Sequence, residues 1–497
     1  LYKNCPSLHK YQPKSSDLSS SPMEKLELIF IPSPLMGHAG QLVELARLIV
    51  NQFHHLTITL LIMKLPGDPI GTDYTDSLDS KDHDRIKFIH FPPMDLDSFT
   101  DCPTVGFMAD AVIERHKPII TEVIANRFNG SHQTSRLCAL VVDMFCTPMI
   151  DVGKEFGVPT YIFFTSNAAF LGIMLYFQIL DDEHGQDVSE LANSGTELTI
   201  PSYANPVPPS VLSSVLVNKD FWSKRFIRYT RKYREAKGII VNTFQELEPH
   251  ALLSYDDNTP PVYTVGPMIK PEKHTPNNEV LKWLKSQPKS TVVLLCFGSR
   301  GWFDVDQVRE IAIAIERSGY GFIWSLRRPP SEAQKGFPGE YTDTDYNEVL
   351  PDGFLERTAG RGRVVGWVPQ TAVLADMAVG GFVSHCGWNS VLESLWYGVP
   401  IATWPIYAEQ QLDAYQLVKD LGLGVEISLD YNQLNKNQRL ILAEEIEKGI
   451  REVMDGDSEV RAKVMEMKGK SRMALEEGGS SLASLRQLVE DFISCNE

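Results

Sequence analysis

The chain has 497 residues, of which 43% are hydrophobic and 22% charged, with a formal net charge of −17. That length exceeds one ordinary core, so two domains of roughly 200 to 250 residues are expected. The acidic balance disfavours nucleic acid and anionic membrane as partners, because both reward clustered Lys and Arg.

Residues 1–22 are polar and lack the apolar core of a secretory signal; they read as a disordered tail or expression remnant ahead of Met23. The seven cysteines, odd in number and without CxxC spacing, indicate neither a disulfide framework nor a zinc site. A reducing, cytoplasmic setting is therefore expected.

Leu26–Ile31 is a near-continuous apolar run, as a parallel strand covered on both faces requires. A loop, Pro32-Ser33-Pro34-Leu35-Met36-Gly37-His38, leads into a helix with an apolar face of Leu42, Leu45, Ala46 and Ile49. A second strand, Leu56–Met63, follows. Strand, loop, helix, strand opens a doubly wound α/β fold, whose ligands sit at the carboxyl ends of strands. Alternation continues through Ile86–Phe91, a helix over Val105–Phe128, the strand Leu137–Val142, a helix near Pro148–Phe156, and the strand Pro159–Phe164. His38 in its loop and Asp143 at its strand end can meet across a cleft at one sheet edge. On the residues alone, a helix-capping His38 and an Asp143 that merely ends a strand is an equal reading.

Asn129-Gly130-Ser131, a formal glycosylation sequon, reads as a turn. The apolar window Tyr161–Leu180 is broken by Thr165, Ser166, Asn167 and Gln178, so a buried loop and helix is expected and no integral membrane segment. Phe221–Ala236 is a basic helix whose charges read as a solvated face, and Gly238–Leu252 is a strand and helix. Residues 255–273, rich in Pro, Asp and Gly, read as the linker between domains at 23–254 and 274–475. Beyond it the pattern restarts, with a strand at Ser290–Phe297, a turn at Gly298-Ser299 and a helix at Val305–Ser318. The strand Gly321–Leu326 and a polar loop, Arg327–Asn347, follow. Asp-x-Asp triplets at 95–97, 304–306 and 343–345 would suit a metal-dependent transferase; each lies in an acidic loop or helix start, where solvation or capping is the ordinary reading.

The densest stretch runs from Trp367 to Gln410. It contains a loop (Trp367, Val368, Pro369, Gln370), a helix over Thr371–Ala378 and a strand over Gly381–Ser384. The turn His385-Cys386-Gly387-Trp388 then opens a helix over Asn389–Trp396, and a strand ending in Pro405 precedes Glu409-Gln410. Strand, tight turn, helix N-terminus presents free N–H groups and a positive dipole end to a phosphate or diphosphate. Asn389 and Ser390 add side chains in the first turn that can cap or donate.

In its order of WVPQ, HCGWNS, Glu393, GVP and EQ, this stretch resembles the signature box of plant secondary-product glycosyltransferases, which bind UDP-sugars. The resemblance extends from Met23 to the C-terminus. It implies two facing Rossmann-like domains (the GT-B fold) with the active site between them, the first binding the acceptor and the second the donor. It also implies that the last helix, 476–497, packs back on the first domain. Trp367 is then the ring that stacks on uracil, with Gln370 near the ribose and Val368 offering backbone hydrogen bonds. His385, Asn389 and Ser390 become the diphosphate contacts, joined by the backbone after Gly387 and by Ser299. Glu393 would accept from the ribose hydroxyls, and Trp388, Glu409 and Gln410 would face the sugar. His38 would be the general base, and Asp143 the carboxylate that orients it. A final Gln and a Trp at 388 lean towards glucose.

The resemblance thus implies an inverting UDP-glucosyltransferase acting on a small apolar hydroxylated acceptor, a flavonoid, other phenolic or terpenoid. It implies no cofactor beyond UDP-glucose as co-substrate and no metal; a monomer is expected. Phe91, Phe145, Phe164 and Phe170 are candidate acceptor-lining residues, with core packing an equal reading for each. Arg300-Gly301-Trp302 depart from the small residues usual after Ser299. Two rivals stay open, namely the same fold using another UDP-sugar and a nucleotide-sugar-binding protein without catalysis. A dinucleotide oxidoreductase is disfavoured, because no GxGxxG follows the first strand.

Overall fold

The structure, a computed structural model, describes residues 25–494 apart from 80–82, 129–134, 221, 271–277, 331–337, 343 and 436. The expected tail at 1–22 and the Asn129-Gly130-Ser131 turn lie outside the described residues.

Among the described residues the first domain is built on β1 (Lys25–Ile31), β2 (Leu56–Ile62), β3 (Ile86–His90), β4 (Ser135–Asp143), β5 (Thr160–Phe164), β6 (Gly238–Val241) and β7 (Val262–Thr264). These strands form one sheet in the order β3-β2-β1-β4-β5-β6-β7, parallel throughout. Leu28 to Ile31 and Cys138 to Val142 are fully buried. An uninterrupted apolar run suits a strand only where helices cover both faces of the sheet. The chain winds outward from β1 to β3, then crosses through the helix Val105–Phe128 to β4 on the other side of β1. The crevice between β1 and β4 is thus the topological switch point, where such sheets bind ligands. Ile31 pairs with Val142, so β1 and β4 end abreast.

The second domain repeats the plan with β8 (Val292–Cys296), β9 (Gly321–Ser325), β12 (Gly362–Val365), β13 (Val379–Ser384), β14 (Ile401–Thr403) and β15 (Gly424–Glu426). Their order is β12-β9-β8-β13-β14-β15, again parallel, with the switch point between β8 and β13. Two doubly wound domains are the architecture that the sequence implied.

Several details differ from expectation. The stretch 255–273 contains β7, which pairs with β6 through Ile239 to Val262 and Val241 to Thr264. Three residues are too few for periodicity to register among Pro and Asp turn signals; positions 271–273 lie outside the described residues. The polar loop after β9 carries an antiparallel hairpin of β10 (Arg327–Arg328) and β11 (Gly339–Glu340). His38 is not in the loop but in the first turn of the helix Met36–Gln52. The helix expected over Thr371–Ala378 spans Gln370–Leu374.

The final helix, Ser480–Ser494, buries Leu482, Leu485, Leu488, Val489 and Phe492. Phe492 packs edge-on to Tyr161 of β5 at 4.7 Å, and the Ser481 hydroxyl donates to the Gly266 carbonyl at 2.6 Å. Window Tyr161–Leu180 divides between β5 and the helix Ala168–His184, and no helix among the described residues is long and apolar enough to cross a membrane. The domains are stitched by Gln416, whose amide donates to Glu248 at 3.0 Å and accepts from Asn167 at 2.8 Å.

Candidate active site

His38 and Asp143 meet at the first switch point. Nδ1 of His38 lies 2.9 Å from Oδ2 of Asp143. Asp143 is 0% exposed and its other oxygen accepts from the Phe145 backbone N–H at 3.0 Å, which fixes the carboxylate's orientation. A carboxylate that accepts from Nδ1–H leaves Nε2 with its lone pair, and the imidazole side chain retains 22% exposure. Burial pulls the His38 imidazole towards the neutral form. The charge and hydrogen bond of Asp143, aided by Glu409 of the second domain and opposed by Arg300, outweigh it, and the net shift is upward.

Thr165, just past the end of β5, places Oγ1 3.0 Å from the same Nδ1 and donates to the Met144 sulfur at 3.4 Å. Sequence reading missed it. The available signal was its place at the carboxyl edge of a strand, the rule that singled out Asp143.

The second switch point holds the turn and helix expected from the sequence. The helix Trp388–Tyr397 starts after Gly387, with His385 buried in the turn before it. Gly298, after β8, has φ +74°, and a Cβ built there would lie 2.6 Å from His385 Nε2; one at Gly387 would lie 2.7 Å away. Both backbones therefore press on the imidazole, and Ser299 continues the turn beside it. Burial pushes the His385 pKa down to about 4, so the ring is neutral near pH 7. Its Nδ1 and the Asn389 Oδ1 are buried polar atoms without a protein partner. Buried groups ordinarily find one; beside a helix N-terminus an imidazole nitrogen that can carry a proton suits an anion, whereas the Asn389 oxygen, an acceptor, suits a hydroxyl or N–H donor.

Gln370 gathers the next set, its amide donating to Ser390 Oγ at 2.9 Å and to Glu393 Oε2 at 2.8 Å. Trp367 stands beyond Val368, 50% exposed, whereas Val368 is buried. Gln410 opens the short helix Gln410–Tyr415, and its Oε1 accepts from the N–H groups of Ile406 and Tyr407, each at 3.0 Å. Burial raises the pKa of Glu409, against the opposing pull of His38 across the cleft.

Trp388 departs from its expected role. Its indole Nε1–H donates to the Asn242 carbonyl at 2.7 Å and the ring is buried between the domains, so the side chain is not offered to a sugar. For three of the four candidate acceptor residues the alternative of core packing is the one found. Phe164 and Phe170 pack on each other at 6.1 Å, Phe91 packs on His116 at 5.2 Å, and all three are core. They lie in or beside a sheet buried on both faces, so an aromatic there has no open side. Phe145 is different, with its ring centroid 5.0 Å from that of His38. Asp95 and Asp304 each cap a helix start, and Asp343 lies outside the described residues.

The family model described as UDP-glucoronosyl and UDP-glucosyl transferase matches residues 225–467. The chain is 48% identical over 483 residues to the UDP-glucose flavonoid 3-O-glucosyltransferase 6 of Fragaria ananassa, covering 94% of this chain and 98% of that protein. Among solved structures, a transferase from Siraitia grosvenorii in complex with UDP superposes with a TM-score of 0.82 at 41% identity, over 95% of this chain and 100% of that one. A Medicago truncatula protein complexed with UDP-glucose gives 0.81 at 39% identity, over 94% of this chain and 98% of that one.

Proposed function

Because the chain belongs to the UDP-glycosyltransferases, enzymes that transfer hexoses, we propose that it moves glucose from UDP-glucose to a hydroxyl of a flavonoid or another small phenolic or terpenoid acceptor. The observation that carries this reading is the 2.9 Å contact between His38 Nδ1 and Asp143, which leaves Nε2 uncommitted to that carboxylate on a side chain that stays 22% exposed. The name of the Fragaria relative, a flavonoid glucosyltransferase, supports the acceptor class.

In this reading His38 Nε2 takes the proton from the acceptor hydroxyl, and Asp143 stabilises the imidazolium that results. The acceptor oxygen attacks the anomeric carbon from the face opposite UDP, forming the new C–O bond as the bond to the diphosphate breaks. Configuration at that carbon inverts, and the proton passes from His38 to solvent. The departing diphosphate is stabilised by the N-terminus of the helix Trp388–Tyr397 with His385, Asn389 and Ser390, a preorganised set of dipoles that requires no metal.

One observation favours a second donor. Arg300 follows Ser299 at the second switch point, and its charge opposes the net upward pKa shifts of His38 and Tyr407. A cation there would suit a uronic carboxylate, so UDP-glucuronate belongs in the test beside UDP-glucose.

The test is mass-spectrometric detection of products from the purified chain with each donor and a pooled panel of flavonoids, simple phenols and triterpenes. A hexose added to a panel member is expected with UDP-glucose. Product with UDP-glucuronate alone would overturn the donor assignment. UDP binding without product from either donor would replace transfer by a binding role.

A further inference from the structure

The second domain holds a buried cation that the proposed mechanism does not use. Arg327 of β10 is 4% exposed. Its Nη1 donates to the Glu340 carboxylate at 3.1 Å and to the Gly366 carbonyl at 3.5 Å, and its Nη2 donates to the Pro338 carbonyl at 2.9 Å. Gly366 immediately precedes Trp367, and the Arg327 guanidinium carbon lies 5.8 Å from the centre of the Trp367 ring. One side chain therefore ties the β10–β11 hairpin to the loop that carries the tryptophan, and places its charge against the indole.

A half-exposed indole on a loop has little to hold its orientation. A stacking platform must be held flat with one face open, since rotation of the ring would cost the base its contact. Arg suits this task where Lys does not: its planar fork binds several oxygens at once and lies against an aromatic face while staying charged. Ser325 at the end of β9 reinforces the anchor, its hydroxyl donating to the same Gly366 carbonyl at 3.3 Å. Arg327 Nε is buried without a protein partner, so the guanidinium keeps one donor uncommitted beside this loop.

We infer that Arg327 is a positioning residue for the nucleobase of the donor, holding Trp367 with one face open for a stacked pyrimidine. The inference rests on the donor reading above. It assigns Arg327 to nucleotide binding and to no chemical step, so its loss should weaken the donor without slowing transfer of a donor once bound.

The experiment compares wild type, R327M and R327K in steady-state kinetics with UDP-glucose and a working acceptor, with calorimetry of UDP and a melting curve for each protein. R327M is expected to raise KM for UDP-glucose and Kd for UDP by about tenfold or more, the scale of one lost base stack. Its kcat and its KM for the acceptor should stay near wild type, with R327K falling in between. A KM for UDP-glucose close to wild type, or a fall in kcat with KM unchanged, would overturn the inference. Should R327M not fold, E340A removes one anchor from the exposed side, and the inference stands or falls on whether it raises KM for UDP-glucose while kcat holds. A wild-type chain that binds no UDP refutes the donor reading itself; binding unaffected by these variants refutes only the role of Arg327.

Discussion

The indole N–H of Trp388 donates to the carbonyl of Asn242 at 2.7 Å, joining the first turn of the helix Trp388–Tyr397 to the residue that follows β6 in the opposite domain. Asn242 carries the link onward. Its side-chain amide donates to Gln41 at 2.9 Å, on the same helix as His38, and its Oδ1 accepts from the Met268 N–H at 2.9 Å. The helix Trp388–Tyr397 and the helix bearing His38 are thereby tied through one residue. W388F keeps an aromatic ring but loses the N–H and part of the buried volume, leaving the Asn242 carbonyl unsatisfied. Such a loss costs about 1–3 kcal/mol, readable as a lower midpoint in denaturant unfolding. An unchanged midpoint would show that this contact is not a structural tie.

His38→Ala removes the base and leaves the second switch point untouched. Turnover should fall by about 10²- to 10⁴-fold, the usual contribution of general base catalysis, while UDP affinity by calorimetry stays as in wild type. Activity near wild type would dismiss His38 as the base.

In the proposed mechanism His38 works in its neutral form, so activity should decline as pH falls through its raised pKa, a limb lying above 6.5. Asp143→Asn removes the charge that raises it. The limb should move to lower pH, and the plateau rate should drop because the ring loses its orienting carboxylate. Thr165→Val deletes the hydroxyl at Nδ1 but not the charge, so its plateau should drop with the limb nearly in place. A limb that stays put in D143N would contradict the pairing.

His385 is neutral above about pH 4 because burial disfavours its charged form. UDP-glucose binding, measured in an H38A background, should therefore not tighten appreciably between pH 8 and pH 5. A steep gain in affinity over that range would mean that His385 takes up a proton to meet the diphosphate.

Asn389→Ala removes a buried amide oxygen that lacks a protein partner. If that atom awaits the donor, stability without ligand should hold or rise, and Kd for UDP should increase several-fold. Lower stability with unchanged Kd would give Asn389 a structural role alone.

Much of this was legible in the chain. Apolar runs such as Leu26–Ile31 and Leu137–Val142 announce strands buried on both faces, and their alternation with helices announces a doubly wound sheet. Once the topology is known, the switch-point rule explains why His38 and Asp143, 105 residues apart, meet at one edge. The order of residue types from Trp367 to Gln410 likewise outlined a strand, a tight turn and a helix N-terminus, because those elements are local. What the tertiary structure alone decided is every pairing that closes over long separations. That Trp388 turns to Asn242, that Phe164 and Phe170 are core while Phe145 lies against His38, and that Arg327 sits beside Trp367 all depend on which elements pack together. The β7 strand belongs with these, since three residues form a strand only where β6 offers its free edge. A side chain's type limits what it can bind, but burial and neighbours decide what it does bind, and those arise only when the sheets and helices have packed.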